Sequence, residues 1–347
     1  MTETPRVFDG HNDVLSRLWT LQGDPVAAFA RDEGHINAPA CKAGGFAGGF
    51  FAIYSPADRT PFDYSPLGEG GGIESLPEPL NGDWALRSAM EQAGIASRLS
   101  AAGVLAICTS AADLRDAMQG EKLACILHLE GADCIDPDLL VLDQLHRLGL
   151  RSLGPVWSRP NIFGEGVPFA FGTDGDTGAE LTDLGQRLAH RCIDLGVLLD
   201  TSHITMKGFW DIADLGQPIM ATHSNAHAIC ASARNLTDPQ LRAIGETKGI
   251  VGLNFEPGFL VPDGARSGSA PISACIAHLD HMISVAGEDH VALGSDFDGA
   301  RAPDGIDSAR DLPALIAEMR RSGFGEDLVE KICFGNWMRF LADNLRG

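Results

Sequence analysis

A chain of 347 residues, 44% hydrophobic and 21% charged, carries enough apolar material for a sizeable core and is ordinary for a globular protein. Its formal net charge of −21 would repel phosphate, which excludes a nucleic-acid partner and otherwise reads as solubility. No apolar run is long enough to span a bilayer, Met1-Thr2-Glu3-Thr4-Pro5 lacks the basic and apolar regions of a signal peptide, and eight cysteines without a Cys-x-x-Cys pair read as the reduced thiols of a cytoplasmic protein. Short apolar runs near 6–9, 46–53, 124–129, 151–156, 197–201, 218–222, 249–254 and 290–295 predict strands. Amphipathic segments at 84–102, 138–148, 180–195, 271–287, 311–322 and 326–343 predict helices, with cap signals at Thr182 and at Thr237-Asp238-Pro239. Alternating strands and helices imply a parallel sheet, and eight strands in one chain fit an α/β fold of the (β/α)8 TIM-barrel type, read as one domain over 1–347. An open doubly wound sheet ranks lower, because the first strand-to-helix turn lacks the G-x-G-x-x-G spacing. Gly68-Glu69-Gly70-Gly71-Gly72, flanked by prolines, reads as part of a loop insertion near 54–83.

Ligand-type residues recur where the strands end. The first strand runs into His11-Asn12-Asp13, and residues i and i+2 of an extended chain point to the same side, so His11 and Asp13 can reach one metal ion. Nitrogen with carboxylate suits zinc or a similar divalent ion. The run at 124–129 ends in Glu130, that at 197–201 leads to His203, that at 218–222 to His223, and that at 290–295 to Asp296 and Asp298. In a β/α barrel the active site is built at these C-terminal strand ends. Sheet stability does not explain five strands ending this way, since isolated charged groups are costly to bury. Singly, each residue has a structural alternative. His203 could cap the helix near Thr205, His223 could be a hydrogen-bonded core histidine, Glu130 could pair with Arg151 or Arg159, and Asp296 and Asp298 could be turn residues. His128 is a weaker candidate, buried or in a supporting layer, and His227 is read as structural. His35, His146, His190, His278, His281 and His290 fall in surface-like or helical contexts.

Several stretches together resemble one family over nearly the whole chain. They are Asp9-Gly-His-Asn-Asp13, Gly48-Gly-Phe-Phe51, Leu129-Glu-Gly-Ala-Asp133, Leu181–Arg187, Gly196–His203, Thr222-His-Ser-Asn225, Ala233-Arg-Asn235 and Gly294–Gly299. As an ordered set they resemble the membrane (renal) dipeptidase family of zinc peptidases, within the amidohydrolase superfamily. The resemblance implies two zinc ions, one on His11 and Asp13 and one on His203 and His223, bridged by Glu130 and by a water or hydroxide. A water shared by two such ions has its pKa lowered toward neutrality. The resemblance also implies that Arg234 contacts a substrate carboxylate through its planar fork, and that Asp296 handles protons, with Asp298 the alternative. The implied substrate is a dipeptide with a free C-terminal carboxylate, a D-residue tolerated there, and the implied assembly is a homodimer.

There is one departure. The family usually carries a histidine after the strand near 151–156, where this chain places Trp157. Trp157 cannot accept a proton and offers one N–H donor, so it walls the pocket or alters substrate preference. Two other readings stay open: an amidohydrolase acting on a non-peptide amide, lactone or β-lactam, and a non-catalytic binding protein on the same barrel.

Overall fold

The computed structural model describes residues 5–60, 76–264 and 269–346. The glycine-rich stretch at 68–72 and half of the expected insertion, 61–75, lie outside the described residues. Nine strands are described: β1 (Val7–Asn12), β2 (Phe46–Tyr54), β3 (Leu105–Ile107), β4 (Leu123–Glu130), β5 (Leu150–Gly154), β6 (Leu198–Leu199), β7 (Met220–Ala221), β8 (Ile250–Leu253) and β9 (Val291–Leu293). All their pairings are parallel. One sheet runs β1-β2-β4-β5-β6 and another β7-β8-β9. Single bridges close the ring, Asp200 to Met220 between β6 and β7, and Asn12 to Phe297 between β1 and the loop after β9. The eight expected strands therefore form the (β/α)8 barrel. β3 was not expected; it lies off the ring and pairs only with Leu123–Cys125 of β4.

The helices begin and end where local chemistry satisfies their free backbone groups. The Thr182 hydroxyl accepts the Gly185 N–H at the start of Asp183–Leu195, and Gly196, at φ 70°, ends that helix in the left-handed region. Thr237 and Gln240 form a capping box for Asp238–Glu246. The segment expected as one helix at 326–343 is interrupted. Glu326–Glu330 passes through a π-helical turn, Lys331–Gly335, into Asn336–Asn344. The widened turn positions Asn336, whose amide donates to the Glu288 and Val291 carbonyls at 2.7 and 2.8 Å.

That geometry delivers Trp337 into the barrel. Phe8, Phe50, Ile126, Met220 and Ile250, from five strands, cluster with Trp337 below the strand ends. The Trp337 indole N–H donates to the Leu293 carbonyl at 2.8 Å, so the buried ring leaves no orphan donor. A larger apolar layer separates strands from helices. Gly10 on β1, Gly252 on β8 and Gly294 past β9 converge on one point. A Cβ on any of them would overlap the Thr222 carbonyl oxygen, just past β7.

His278 pins the helix Ile272–Ala286 to the loops above it. Its Nδ1 accepts the Ala226 N–H at 3.0 Å and its Nε2 donates to the Leu260 carbonyl at 2.9 Å. The Nδ1 bond needs the neutral ring, and burial pushes its pKa down to about 4. An unfolded histidine titrates near about 6.5. The unfolded chain thus binds the extra proton first, and stability falls as pH drops from about 6.5 to about 4. The expected contribution is on the order of 3 kcal/mol. Urea unfolding at both ends of this window should show a smaller loss in His278→Gln than in the unsubstituted chain; equal losses would remove His278 from the explanation.

Candidate metal centre

The residues singled out at the strand ends meet at one end of the barrel. His11 lies in β1 and Asp13 just beyond it, with Nε2 3.2 Å from Oδ2. Glu130 closes β4, in register with Tyr54 of β2 and Gly154 of β5. Its Oε2 is 3.6 Å from His11 Nε2, while its Oε1 is 3.1 Å from His203 Nε2 and 3.5 Å from His223 Nε2. The two latter nitrogens are 3.0 Å apart. One carboxylate thus shows one oxygen to His11 and the other to His203 and His223. Arg151 and Arg159 do not take it up: Arg151 donates to the Thr109, His146 and Leu150 carbonyls, and Arg159 to the Ser55 carbonyl.

The backbone is strained where these groups are presented. His203, Asp296 and Asp298 have φ of 67°, 62° and 65°, in the left-handed region that side chains avoid. Such residues cost on the order of 1–3 kcal/mol each and gather at functional sites.

The cluster carries more charge than burial tolerates. Burial would lower the His11 pKa, but Glu130 and Asp13 outweigh it and hold the ring well above its usual range. Burial would raise Glu130, yet His11, with bonds from His203 and His223, holds it well below the carboxylate range. Burial, then Glu130, pushes Asp13 up to about 8, and burial raises Asp296. Burial, then Arg234, takes His203 down to about 4, and burial, then His11, takes His223 well below its normal range. Asp13 therefore keeps a proton near neutral pH that a divalent cation would displace. Buried Asp13 Oδ1 has no hydrogen-bond partner among the described residues. Donor atoms of His11, Glu130 and His223, and of His11, Asp13 and Asp296, lie within 4.8 Å of one another. An imidazole and carboxylate set of this kind fits zinc.

A cavity of about 300 Å³ opens over these groups, bounded by Asp13, Glu130, His203 and Asp296. Tyr54, Trp157, Phe169 and Phe259 form a buried aromatic cluster along it. The Trp157 ring is 5.2 Å from Tyr54, 5.6 Å from Phe169 and 5.8 Å from His203. Arg234 is buried, its guanidinium over Phe259 at 5.9 Å. It donates to His203 Nδ1, the Ser224 hydroxyl and the His223 carbonyl at 3.1, 3.1 and 2.9 Å.

A model of the membrane dipeptidase family, peptidase family M19, matches residues 1–345. The chain belongs to this family. It is a metallopeptidase of the dipeptidase class. Dipeptidase AC, a metallo peptidase of family M19, is 45% identical with a TM-score of 0.92, over 99% of each chain. A metallo peptidase of Rhodobacter sphaeroides, solved with a phosphinate mimic of L-Ala-D-Ala, is 45% identical with a TM-score of 0.91, over 99% of this chain and 100% of its own. An uncharacterised protein in the PQQ-III 3′ region of Acinetobacter calcoaceticus is 41% identical, over 80% of this chain and 89% of its own. No helix among the described residues is long and apolar enough to cross a membrane.

In this M19 chain the two candidate aspartates differ in what they face. Asp296 Oδ1 lies 4.0 Å from His11 Nε2, and its Oδ2 accepts the Asn254 amide at 2.9 Å. Both oxygens of Asp298 are engaged elsewhere, accepting the His35 and Ile36 N–H groups at 2.7 and 3.2 Å and facing Arg17 Nε at 3.0 Å. His35 was expected at the surface, but it lines the cavity, and its Nδ1 accepts the Asp298 N–H at 2.9 Å. Arg17 and Glu256 also line the cavity and were not anticipated. Glu256 is buried and paired with Arg301 at 2.5 Å; it follows β8, so its strand-end position was the signal that could have found it. His128 belongs to the supporting layer, with Nδ1 2.8 Å from the Ser152 hydroxyl and its ring edge-on to His11 at 5.4 Å. His227 Nε2 bonds the Thr173 carbonyl at 3.1 Å, away from the centre.

Proposed function

We propose that this chain is a single-domain, binuclear zinc dipeptidase that hydrolyses dipeptides with a free C-terminal carboxylate, L-Xaa-D-Xaa dipeptides among them. One observation carries the reading: the two oxygens of Glu130 face different donors, His11 on one side and His203 with His223 on the other. The 45% identity to a peptidase solved with a mimic of L-Ala-D-Ala supports the substrate class. His11 and Asp13 would hold one ion, His203 and His223 the other, and Glu130 both. Zinc bound there supplies Lewis acidity, which makes a water more acidic and polarises the peptide carbonyl.

The chain's own residues do the rest. Asp296, fixed by Asn254 and pushed up by burial, accepts the proton of the attacking water at its carboxylate and returns it to the leaving amine. Asp298 is committed to the His35 and Ile36 amides, which favours Asp296 for that role. Arg234 presents a planar fork to the substrate carboxylate, which would replace His203 Nδ1 and Ser224 as its acceptors. The aromatic cluster excludes water and seats an apolar side chain.

The test is amino-acid release from a panel of L-Xaa-D-Xaa and L-Xaa-L-Xaa dipeptides by zinc-loaded and chelated protein. Zinc-dependent release supports the proposal. A chain that holds two zinc ions and cleaves no dipeptide refutes it in favour of the amide or lactone reading, to which Trp157 at the cavity wall lends weight. Within the panel, Trp157→Ala is expected to lower kcat/KM for bulky apolar substrates about 10- to 200-fold relative to alanine-containing ones, with zinc content unchanged. A uniform loss across the panel would deny Trp157 a part in selectivity.

A further inference from the structure

β6 and β7 are two residues long and share a single bridge, yet they lead to His203 and His223. The seam is fastened by Asp200, which is 1% exposed. Its Oδ1 accepts the Ser202 and Thr222 N–H groups at 3.0 and 2.8 Å. Its Oδ2 accepts the Thr222 hydroxyl at 2.6 Å. The same hydroxyl oxygen lies 2.8 Å from His223 Nδ1. Ser202 supports the arrangement, its Oγ accepting the His223 N–H at 3.2 Å and lying 3.4 Å from Thr222 Oγ1.

The direction of these bonds follows from what each group can donate. A carboxylate only accepts, and a threonine has one hydroxyl proton. Asp200 takes that proton, so Thr222 Oγ1 faces His223 as an acceptor. The His223 ring proton then sits on Nδ1, and Nε2, 3.5 Å from Glu130 Oε1, keeps its lone pair. We propose that Asp200 and Thr222 form a relay that locks His223 in the Nδ1–H tautomer and so aims a bare nitrogen at the metal centre. The relay makes both of them positioning residues, and it rests on His223 being a metal ligand as proposed above. The other two imidazoles differ. His203 Nδ1 is shared between the Ser158 hydroxyl at 2.9 Å and Arg234 Nε at 3.1 Å, and His11 Nδ1 has no partner among the described residues.

Three variants separate the relay from simple packing. Thr222→Val removes the hydroxyl and keeps the shape, and Thr222→Ser keeps the hydroxyl. Asp200→Asn turns an amide N–H toward Thr222, whose hydroxyl must then donate to His223, which forces the proton onto Nε2. Zinc affinity is read by competition with a chromophoric chelator, and the tautomer by ring ¹⁵N shifts of metal-free protein. Thr222→Val is expected to weaken zinc about 10- to 100-fold, Asp200→Asn at least as much, and Thr222→Ser to restore binding. The unsubstituted chain should show His223 as Nδ1–H, and a purely structural role would lower the melting temperature without moving that signal. The ring signal needs no variant, so a substituted chain that fails to fold leaves the test intact. An Nε2–H signal in the unsubstituted chain, or Thr222→Val binding zinc as that chain does, overturns the relay alone. An unsubstituted chain that takes up no zinc overturns the metal centre and the relay with it.

Discussion

Replacing Glu130 with glutamine is expected to leave at most one metal ion per chain and to lower kcat/KM for an L-Xaa-D-Xaa dipeptide about a thousandfold or more, on the order of 4 kcal/mol. Glutamine keeps the size of the side chain but has only one oxygen. Oε1 now serves His203 and His223 while Oε2 serves His11, so one donor pair would face an N–H group instead. The substitution also removes the larger of the two negative influences, Glu130 and Asp13, that hold His11 well above its usual range. Circular dichroism should still show a folded barrel. Metal analysis beside a turnover assay decides the point. Two ions per chain with activity retained would mean that Glu130 bridges nothing.

Asp296→Asn carries the second large effect, a fall in kcat of about 10²- to 10⁴-fold with both metal ions kept. The amide can still bond Asn254, so the loop after β9 should hold its shape. What goes is a basic oxygen 4.0 Å from His11 Nε2. Asp298→Asn is the control. It weakens the clamp on His35 and Ile36 and should act more on stability than on kcat. If Asp296→Asn instead loses an ion, Asp296 is a ligand, as its closeness to His11 and Asp13 allows. If the two variants show equal falls in kcat, the proton role does not belong to Asp296 alone.

Much of this was legible because barrel chemistry is positional. Parallel strands buried on both faces read as apolar runs, and the first polar residue beyond each run sits at the barrel mouth. His11, Asp13, Glu130, His203, His223 and Asp296 stand at or just past such run ends, and the structure brings them together. Features that depend on distant contacts leave no such mark in the sequence. His35 reaches the cavity wall through Asp298, 263 residues away, and no local pattern announces such a pairing. β3 is three residues long and satisfies only the start of β4, too short for a period to show. The π-helical turn at Lys331–Gly335 leads into Trp337, whose ring packs among strand residues distant in sequence, a contact that helix periodicity does not show. The aromatic cluster draws Tyr54 from the end of β2, Trp157 and Phe169 from the long connection after β5, and Phe259 from the short helix Pro257–Leu260 after β8, so its members share no sequence spacing.

The glycines crowded around the Thr222 carbonyl bear on how the donor atoms are spaced. Gly10 precedes His11, Thr222 precedes His223, and Gly294 stands two residues before Asp296. With no side chains between them, these backbones meet directly, and their closeness acts as a gauge for the imidazoles and carboxylates above. A methyl group at Gly10 or Gly294 would touch no donor atom, yet it would wedge the strands apart and widen the span between donors. The calibre of the centre is thus written in residues that have no chemistry of their own.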